Sequence, residues 1–567
     1  MNTAELLVKC LENEGVEYIF GLPGEENMAV LNALENSSIK FITTRHEQGA
    51  AFMADVYGRL TGKPGVCLST LGPGATNLMT GVADANLDCA PLIAITGQVG
   101  TDRMHTNSHQ YLDLVAMFEP VTKWNAQIVR PSITPEIVRK AFKIAQSEKS
   151  GAVHIDLPEN IAGMEVDAKP LLVKDDRHPM YASYRSLSEA AILIAQAKNP
   201  LILVGNGAIR SHASQAVTDF ATRLNIPVAN TFMGKGVIPY RHPLALWTLG
   251  LQQRDIINCA FDETDLVIAV GYDLIEYSPK KWNPNSTIPI IHIAELSSEV
   301  DSSYMPQVEI VGDISDSLVE IMHRCDRSGM PNPHAIALRP QILATYEQYA
   351  YDEGFPIKPQ KLIYDLRQVM GAEDVVISDV GAHKMWMARH YHCDRPNTCI
   401  ISNGFAAMGI AIPGAIAAKL VHPDRRIVAV TGDGGFMMNM QELETATRIG
   451  TNFVTLIFND GGYGLIEWKQ QIHYGKSAFI KFGNPDFVKL AESMGLKGYR
   501  VNSAINLIPV LKDALEQNVP TVIDCIVDYR ENMRFSRKVG ELSCPLYTER
   551  GRIATPFCLK SFKNYFL

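Results

Sequence analysis

The sequence predicts an α/β protein with three doubly wound parallel-sheet domains. Short apolar runs with the length of buried strands alternate along the chain with stretches that have helical spacing. This alternation favours parallel sheets that are covered by helices on both faces. The length of 567 residues suits about three or four domains of ordinary size. Two polar segments without periodicity, at 166–186 and 326–357, separate the alternating regions.

The first domain is predicted over residues 1–165. An amphipathic helix opens the chain and leads into a strand. Helical stretches lie between the strands, so a parallel sheet is expected. The predicted strands are Tyr18–Phe20, Lys40–Thr43, Val66–Ser69, Leu92–Thr96 and Ala152–Asp156.

The second domain is predicted over residues 187–325 and opens with the strand Pro200–Val204. A Gly205-Asn206-Gly207 turn follows, which is typical of folds that bind a dinucleotide. The next strand, Ile226–Asn230, provides no acidic residue for a ribose. The sequence therefore gives little support for a nicotinamide dinucleotide.

The third domain is predicted over residues 358–535, with apolar strands at 426–430 and 453–458. The polar segment before it, 326–357, is expected to be a linker that contains a helix. Residues 536–567 form a predicted C-terminal tail. Its last part is short, basic and aromatic, which indicates a packing or mobile segment.

Composition excludes several classes of protein. The net charge of −9 and the lack of a basic run argue against a nucleic-acid partner. Ten scattered cysteines without a C-x-x-C pair favour reduced thiols in the cytoplasm. No stretch approaches 18 uninterrupted apolar residues, so no membrane partner is expected. We expect a soluble, cytoplasmic protein.

Two acidic residues follow two successive strands of the third domain. Asp433 ends the strand at 426–430, and Asn459-Asp460-Gly461-Gly462 ends the strand at 453–458. A strand–helix–strand crossover brings such strand ends together at the carboxyl edge of a sheet, where open α/β folds bind ligands. Two carboxylates suit Mg²⁺, which leaves its other positions to water and phosphate oxygens. The N–H groups of Gly434 and Gly435 can hold an anion beside the metal. The alternative is an ordinary crossover whose polar ends only turn the chain.

The Gly432-Asp433-Gly434 motif, followed about 25 residues later by Asn459-Asp460, resembles the motif of thiamine-diphosphate (ThDP) enzymes, in the acetolactate synthase branch. The resemblance implies that Asp433 and Asp460 are side-chain ligands of Mg²⁺ and that Gly462 offers its carbonyl. The turn Asp379–His383 is similar to a diphosphate-contacting turn of the family. A neutral His383 packed on a helix is the alternative. The cofactor-binding residues implied in these segments are Val380, Gly381, Ala382, His383, Gly432, Asp433, Gly434, Gly435, Asp460, Gly462, Tyr463, Gly464, Leu465 and Ile466.

The first domain carries the residues predicted to be catalytic. Arg45-His46-Glu47 and the small residues after it resemble the pattern around the catalytic glutamate of ThDP synthases. The resemblance implies that Glu47 binds N1′ of the aminopyrimidine ring and promotes loss of the thiazolium C2 proton. Without the resemblance, Glu47 would be a surface carboxylate that compensates a helix dipole. The loop Leu71–Asn77 and the pair His109-Gln110 also match the family, which places Gln110 near the active site.

The segment Asn403–Gly409 is expected to shape the cofactor. In the family, a bulky apolar side chain is a wedge between the two rings of ThDP, and Met408 matches that position. The carbonyl of Ala406 would accept a hydrogen bond from the 4′-amino group. The alternative for Met408 is a core methionine that fills a gap.

Residues 270–283 resemble the FAD-free catabolic acetolactate synthases, so FAD is not expected. The family's reaction decarboxylates a 2-oxo acid such as pyruvate and adds the enamine to a second 2-oxo acid.

Phe405 and Ala406 stand where catabolic enzymes tend to have glutamines, and Glu25-Glu26 stand where a basic residue is common. Two alternatives are therefore kept: a ThDP decarboxylase or carboligase of bulkier 2-oxo acids, and a non-catalytic ThDP-fold subunit. The resemblance implies a homodimer or homotetramer with active sites at the subunit interface.

Overall fold

The computed structural model describes residues 1–174, 180–250, 256–327, 329 and 331–532. It contains three sheets of six strands each, and every strand pairing in these sheets is parallel. Helices cover the sheets, so the predicted α/β class with three doubly wound parallel sheets is confirmed. The predicted tail at 536–567 lies outside the described residues.

The first sheet has its strands β1–β6 at Tyr18–Gly21, Lys40–Thr43, Gly65–Ser69, Leu92–Gln98, Trp124–Gln127 and Ala152–Pro158, in the spatial order β2-β1-β3-β4-β6-β5. Its helices α1–α7 are Thr3–Asn13, Met28–Leu34, Glu47–Thr61, Pro73–Leu87, Leu114–Phe118, Thr134–Gln146 and Glu159–Ala162. The sequence analysis missed β5. This edge strand is half-buried at every position, so it lacks the apolar run that marks the central strands.

The second sheet has its strands β7–β12 at Pro200–Val204, Val228–Asn230, Ala245–Thr248, Leu266–Val270, Ile290–Ala294 and Val308–Val311, in the order β12-β11-β10-β7-β8-β9. Its helices α8–α11 are Tyr184–Gln196, Gly207–Arg210, Ser214–Leu224 and Ile314–Arg324. Helix α12 (Pro333–Glu347) lies in the segment that was expected to link the second and third domains through a helix.

The third sheet has its strands β13–β18 at Val375–Ser378, Cys399–Ile401, Ile427–Gly432, Val454–Asn459, Lys497–Val501 and Thr521–Ile526, in the order β14-β13-β15-β16-β18-β17. Its helices α13–α20 are Pro359–Val369, Ala382–His390, Ala411–Val421, Asp433–Asn439, Glu442–Ile449, Gly464–Tyr474, Phe487–Ser493 and Leu507–Leu515. Short 3₁₀ turns occur at Glu119–Val121, Pro131–Ile133, Asn258–Phe261, Pro279–Lys281 and Ala504–Asn506.

The first and third domains of one chain share a hydrophobic core. Helix α3 packs on helix α15, and both present small residues at the contact. A Cβ added at Gly414 would lie 2.9 Å from Cγ2 of Val56, so the close approach of the two helices requires glycine there. This contact fixes the first turn of α3 relative to the third sheet.

Among the described residues, no helix is long and apolar enough to cross a membrane. The eight cysteines in the same part of the chain are free thiols.

Candidate active site

Two acidic side chains meet at the carboxyl edge of the third sheet. Strands β15 and β16 are adjacent and parallel, with Gly432 opposite Phe458, so Asp433 and Asp460 follow directly at neighbouring strand ends. Burial, together with the nearby negative charge of Asp433, raises the pKa of Asp460 to about 7. Burial also raises the pKa of Asp433. The predicted pair is thus brought together in a place where charge is costly without a cation.

The carboxylate of Asp433 is held in one orientation. Its Oδ1 accepts from the backbone N–H of Gly434 at 2.8 Å, and its Oδ2 accepts from the backbone N–H of Gly461 at 2.7 Å. The side-chain amide of Asn484 donates to the same Oδ2 at 2.7 Å. The sequence analysis did not identify Asn484, because a lone asparagine in a loop 51 residues away gives no pattern that links it to Asp433.

The residues at this edge of the sheet fit a metal ion whose remaining coordination positions are filled by a bound ligand. Within the described ranges there is no group of three or more His, Cys, Asp or Glu side chains suited to a metal ion. Two carboxylates and a backbone carbonyl alone leave coordination positions open, and Mg²⁺ characteristically fills such positions with water and phosphate oxygens. The geometry therefore suits Mg²⁺ bound together with a diphosphate.

Glycines and a histidine form a narrow cradle beside the two carboxylates. A Cβ at Gly435 would lie 2.8 Å from Asp379 Oδ2, and one at Gly434 would lie 2.9 Å from the ring of Tyr463. His383 is only 2% exposed, and burial lowers its pKa to about 3, so it is neutral. Its Nε2 is buried without a hydrogen-bond partner among the described atoms. A polar atom left unsatisfied in this way is costly, and an anionic ligand would satisfy it.

Asp379 connects three of the predicted cofactor segments. Its Oδ1 accepts from the backbone N–H groups of Val380 and Gly409, each at 2.7 Å, and its Oδ2 accepts from Thr431 Oγ1 at 3.0 Å. Burial raises the pKa of Asp379 to about 6. The sequence placed Asp379 only as the start of a turn, and its connecting role depends on contacts that the sequence does not show.

The segment Asn403–Gly409 adopts a strained conformation at the residue whose carbonyl was predicted to accept from the cofactor. Ala406 has a φ of 59°, in the left-handed region that non-glycine residues rarely adopt. Gly409, with a φ of 97°, ends the segment. Met408 is half-buried, and Phe405 is 45% exposed. Backbone strain of this kind concentrates at functional sites.

Helix α4 of the first domain holds this segment in place. Asp88 accepts from the backbone N–H groups of Asn403, at 2.9 Å, and Gly404. Asp84 accepts from the Ser402 hydroxyl at 2.6 Å. Arg59 lies 3.0 Å from Asp84 and 2.9 Å from Asp88, so the guanidinium offsets part of the buried negative charge.

Glu47 lies at the first turn of α3 and is 9% exposed. Its Oε2 accepts from the Asn77 side chain at 2.9 Å. Asn77 lies in the second turn of α4 (Pro73–Leu87), so the start of this helix reaches Glu47, whereas the sequence analysis treated Leu71–Asn77 as a loop. In the third domain, the buried carboxylate of Glu442 accepts from the backbone N–H groups of Arg45 and His46, each at 3.0 Å.

Gln110 is exposed and has a φ of 57°. A Cβ at Gly72 would lie 2.7 Å from its carbonyl oxygen, so Gln110 packs over the start of the same segment. The first domain thus brings Gln110 to the N-cap of α4 at Gly72 and Glu47 to Asn77 in the same helix.

Within the described part of one chain, no hydrogen bond joins Glu47 to the segments 379–383, 432–435 or 460–466. Asn439 makes an indirect link, because it donates to Gln48 Oε1 at 3.1 Å and to the Gly409 carbonyl at 3.0 Å. The predicted residues Leu465 and Ile466 lie on α18, which has no buried residue.

Models of the thiamine pyrophosphate enzyme family match this chain in three places. The N-terminal TPP binding domain matches residues 1–117, the central domain matches 187–321, and the C-terminal TPP binding domain matches 379–525. The third match begins at Asp379 and contains both acidic residues of the sheet edge.

Several curated proteins are similar over nearly their whole length. The acetolactate synthase of Bacillus subtilis (strain 168) is 36% identical over 555 residues, which covers 95% of this chain and 96% of the relative. The probable acetolactate synthase large subunit of Methanococcus aeolicus is 37% identical over 565 residues, covering 93% and 92%. The catabolic acetolactate synthase of Raoultella terrigena is 34% identical over 541 residues, covering 93% and 95%.

Proposed function

This chain belongs to the acetolactate synthase family of thiamine pyrophosphate enzymes, and we propose that it converts two molecules of a 2-oxo acid such as pyruvate into 2-acetolactate and carbon dioxide. The observation that carries the proposal is the pair Asp433 and Asp460 at adjacent strand ends, beside a glycine cradle. This edge suits a diphosphate and its metal. When bound, ThDP supplies a carbon nucleophile and an electron sink for the loss of carbon dioxide.

We assign the metal and diphosphate to the third domain. Asp433 and Asp460 would hold Mg²⁺ through their side chains and Gly462 through its carbonyl, and His383 would donate to the diphosphate. This assignment is supported by the pKa of both carboxyls, which burial raises, since a bound cation would offset the cost of burying two negative charges. The unpartnered Nε2 of His383 supports it as well.

We assign proton handling to Glu47. Asn77 fixes one carboxylate oxygen, so the other can face a ring nitrogen of the cofactor and exchange a proton with it. Ala406, whose backbone is held in the left-handed region, would present its carbonyl to the exocyclic amine. Met408 would keep the two rings bent, and Gln110 would contact the substrate side.

We propose that the enzyme works without FAD. In the central domain, the turn that could hold a dinucleotide phosphate has its backbone N–H groups engaged within the protein. Gly205 donates to Val270 at 3.0 Å, and Gly207 donates to Gly271 at 2.8 Å. Asn206 donates to the carboxylate of Glu276 at 2.9 Å. A pyrophosphate at this turn would lie beside the Glu276 carboxylate and would find no unengaged backbone N–H group at residues 205–207.

We also propose that two chains share each active site, in a homodimer or homotetramer. This arrangement is supported by the family resemblance, and Glu47 and the metal segments lie in different domains, on α3 and at the edge of the third sheet. The exposed apolar side chains Ile466 and Ile472 on α18 support it too, since they are 46% and 38% exposed beside the predicted site. A cytoplasmic location stays a prediction that rests on the scattered cysteines.

The test is to incubate the purified protein with ThDP, Mg²⁺ and a panel of 2-oxo acids, and to identify products by mass spectrometry. We expect 2-acetolactate from pyruvate, with Asp433→Ala as the inactive control. Aldehydes from aromatic 2-oxo acids, without acetolactate, would instead favour the decarboxylase that the exposed Phe405 allows. Binding of ThDP without turnover of any 2-oxo acid would indicate a non-catalytic subunit.

A further inference from the structure

A chain of hydrogen bonds leads to the predicted metal ligand from an ion pair between the edge strand β17 and its neighbour β18. Arg500 on β17 donates to Asp524 Oδ2 on β18 at 3.2 Å. Asn459 donates to Asp524 Oδ1 at 2.9 Å. Asn484 donates to Asn459 Oδ1 at 3.0 Å and to Asp433 Oδ2 at 2.7 Å. Four side chains therefore lie in series behind Asp433.

The direction of this chain is set at Asp524. A carboxylate paired with a guanidinium can only accept hydrogen bonds, so the amide of Asn459 must turn its NH₂ group toward Asp524. Its oxygen then faces Asn484. Asn484 must in turn present its own NH₂ group, whose two hydrogens go to Asn459 and Asp433. Only one orientation of both amides satisfies every donor, which settles the assignment of oxygen and nitrogen.

The side-chain oxygen of Asn484 is a second indication that a ligand binds here. Its Oδ1 is buried and has no hydrogen-bond partner among the described atoms. A bound Mg²⁺ keeps several water molecules, and such a water could donate to this oxygen. The series of side chains thus ends at an acceptor beside the proposed metal site.

We propose that Asn484 is a positioning residue for the metal, oriented through Asn459 by the Arg500–Asp524 ion pair. This inference rests on the proposed metal site of Asp433. Asn484 would not bind the metal itself but fixes the rotation of the Asp433 carboxylate by a hydrogen bond. Mutation of a residue that hydrogen-bonds a metal ligand typically changes metal affinity by about 10- to 100-fold. Among the described residues, Asp524 makes no hydrogen bond with Asp433, so its proposed action is to fix the direction of the Asn459 amide.

The experiment measures metal binding rather than turnover. Mn²⁺ is titrated into the protein at saturating ThDP and followed by electron paramagnetic resonance, and ThDP binding is followed by tryptophan fluorescence. Asn484→Ala should weaken Mn²⁺ binding by about 10- to 100-fold, and Asp524→Asn should weaken it in the same direction. The double variant should be no weaker than Asn484→Ala, because Asp524 acts through Asn484. Asn285→Ala, an exposed asparagine of the central domain, is the matched control.

Unchanged Mn²⁺ affinity in Asn484→Ala would overturn the proposal, and so would additive losses in the double variant. If Asp524→Asn does not fold, Asn459→Ala interrupts the same series. The outcome for Asn484 can be distinguished from the outcome for the proposed reaction. A protein that binds Mn²⁺ and ThDP but makes no acetolactate refutes the function and leaves this test intact. An active acetolactate synthase whose Asn484→Ala form binds Mn²⁺ normally refutes only the positioning role.

Discussion

At the residue scale, the site depends on carboxylates that are each held by named donors. Glu47 is fixed by Asn77 at 2.9 Å, and Asp433 is fixed by Gly434, Gly461 and Asn484. Fixed carboxylates lose little orientation freedom when a cofactor binds, which is the advantage of a preorganised site. Substitutions that keep the shape of these side chains but change their charge are therefore informative.

The first prediction concerns Glu47→Gln. The variant should bind ThDP with nearly normal affinity, because Asn77 can still donate to the amide oxygen. Exchange of the thiazolium C2 proton should slow by about 100- to 10,000-fold, since an amide cannot accept the proton. NMR after acid quench measures this exchange, and Glu516→Gln is an exposed control. Exchange at the wild-type rate would remove Glu47 from the mechanism.

The second prediction concerns Glu276 in the central domain. Burial raises its pKa to about 7, above the ordinary value near 4.5. Between about pH 4.5 and 7, the folded state keeps a proton that the unfolded state has lost, so this group's stabilising contribution falls as the pH rises through that window. The difference in thermal midpoint between Glu276→Gln and the wild type should therefore shift in favour of the variant as the pH rises from 5 to 8. Differential scanning fluorimetry checks this, and parallel pH curves for the two proteins would contradict it.

At the scale of elements, helix α4 and its C-cap connect the first and third domains of one chain. Asp84 in this helix and Asp88 at its C-cap accept from backbone N–H groups of the segment that carries Ala406 and Met408, while the proposed metal site is at the ends of β15 and β16. We therefore expect binding of the organic part of the cofactor to depend on α4, and binding of its metal to depend on the ends of β15 and β16.

The third prediction follows for Asp88→Asn. The variant loses the charge that accepts from two backbone N–H groups, and a hydrogen bond to a charged group is worth about 1.5–3 kcal/mol. Affinity for ThDP should fall by about 10- to 100-fold, with the Mg²⁺ dependence unchanged. A titration of ThDP at several Mg²⁺ concentrations separates the two effects, and Asp424→Asn, on the surface, is the control. An equal loss in Mg²⁺ affinity would show that the two elements are coupled.

The sequence was sufficient for features that depend on local pattern. Buried strands and the Asp433–Asp460 crossover could be predicted because apolar runs and glycine turns mark them directly. The edge strand β5 could not, since its residues are only half-buried. Asn484 and Asp88 escaped prediction because their partners lie 51 and 315 residues away. The left-handed backbone of Ala406 also has no local sequence signal.

At the scale of the whole molecule, the three sheets place the proposed acid–base group and the proposed metal in different domains. The shared core of α3 and α15 fixes these domains against each other within one chain. A site that combines Glu47 of one chain with Asp433 of another requires a two-fold assembly. Subunit exchange can therefore test the arrangement.

The fourth prediction is complementation between two inactive variants. Glu47→Gln and Asp433→Ala chains are mixed under conditions that exchange subunits. With shared sites, each mixed dimer contains one site with an intact Glu47 and an intact Asp433. Random exchange should then restore about a quarter of the wild-type activity. No recovery, with mixed dimers demonstrated by native mass spectrometry, would show that each site lies within one chain.

Helix α18 has a consequence for hydrogen exchange. It is the one α-helix of the described ranges without a buried residue, although Leu465 and Trp468 partly pack against the core. Little packing opposes its local opening, so its amides should exchange with deuterium faster than those of α15 in the isolated chain. Its first residues adjoin the proposed diphosphate, and slower exchange in α18 after addition of ThDP and Mg²⁺ would report cofactor binding without any substrate.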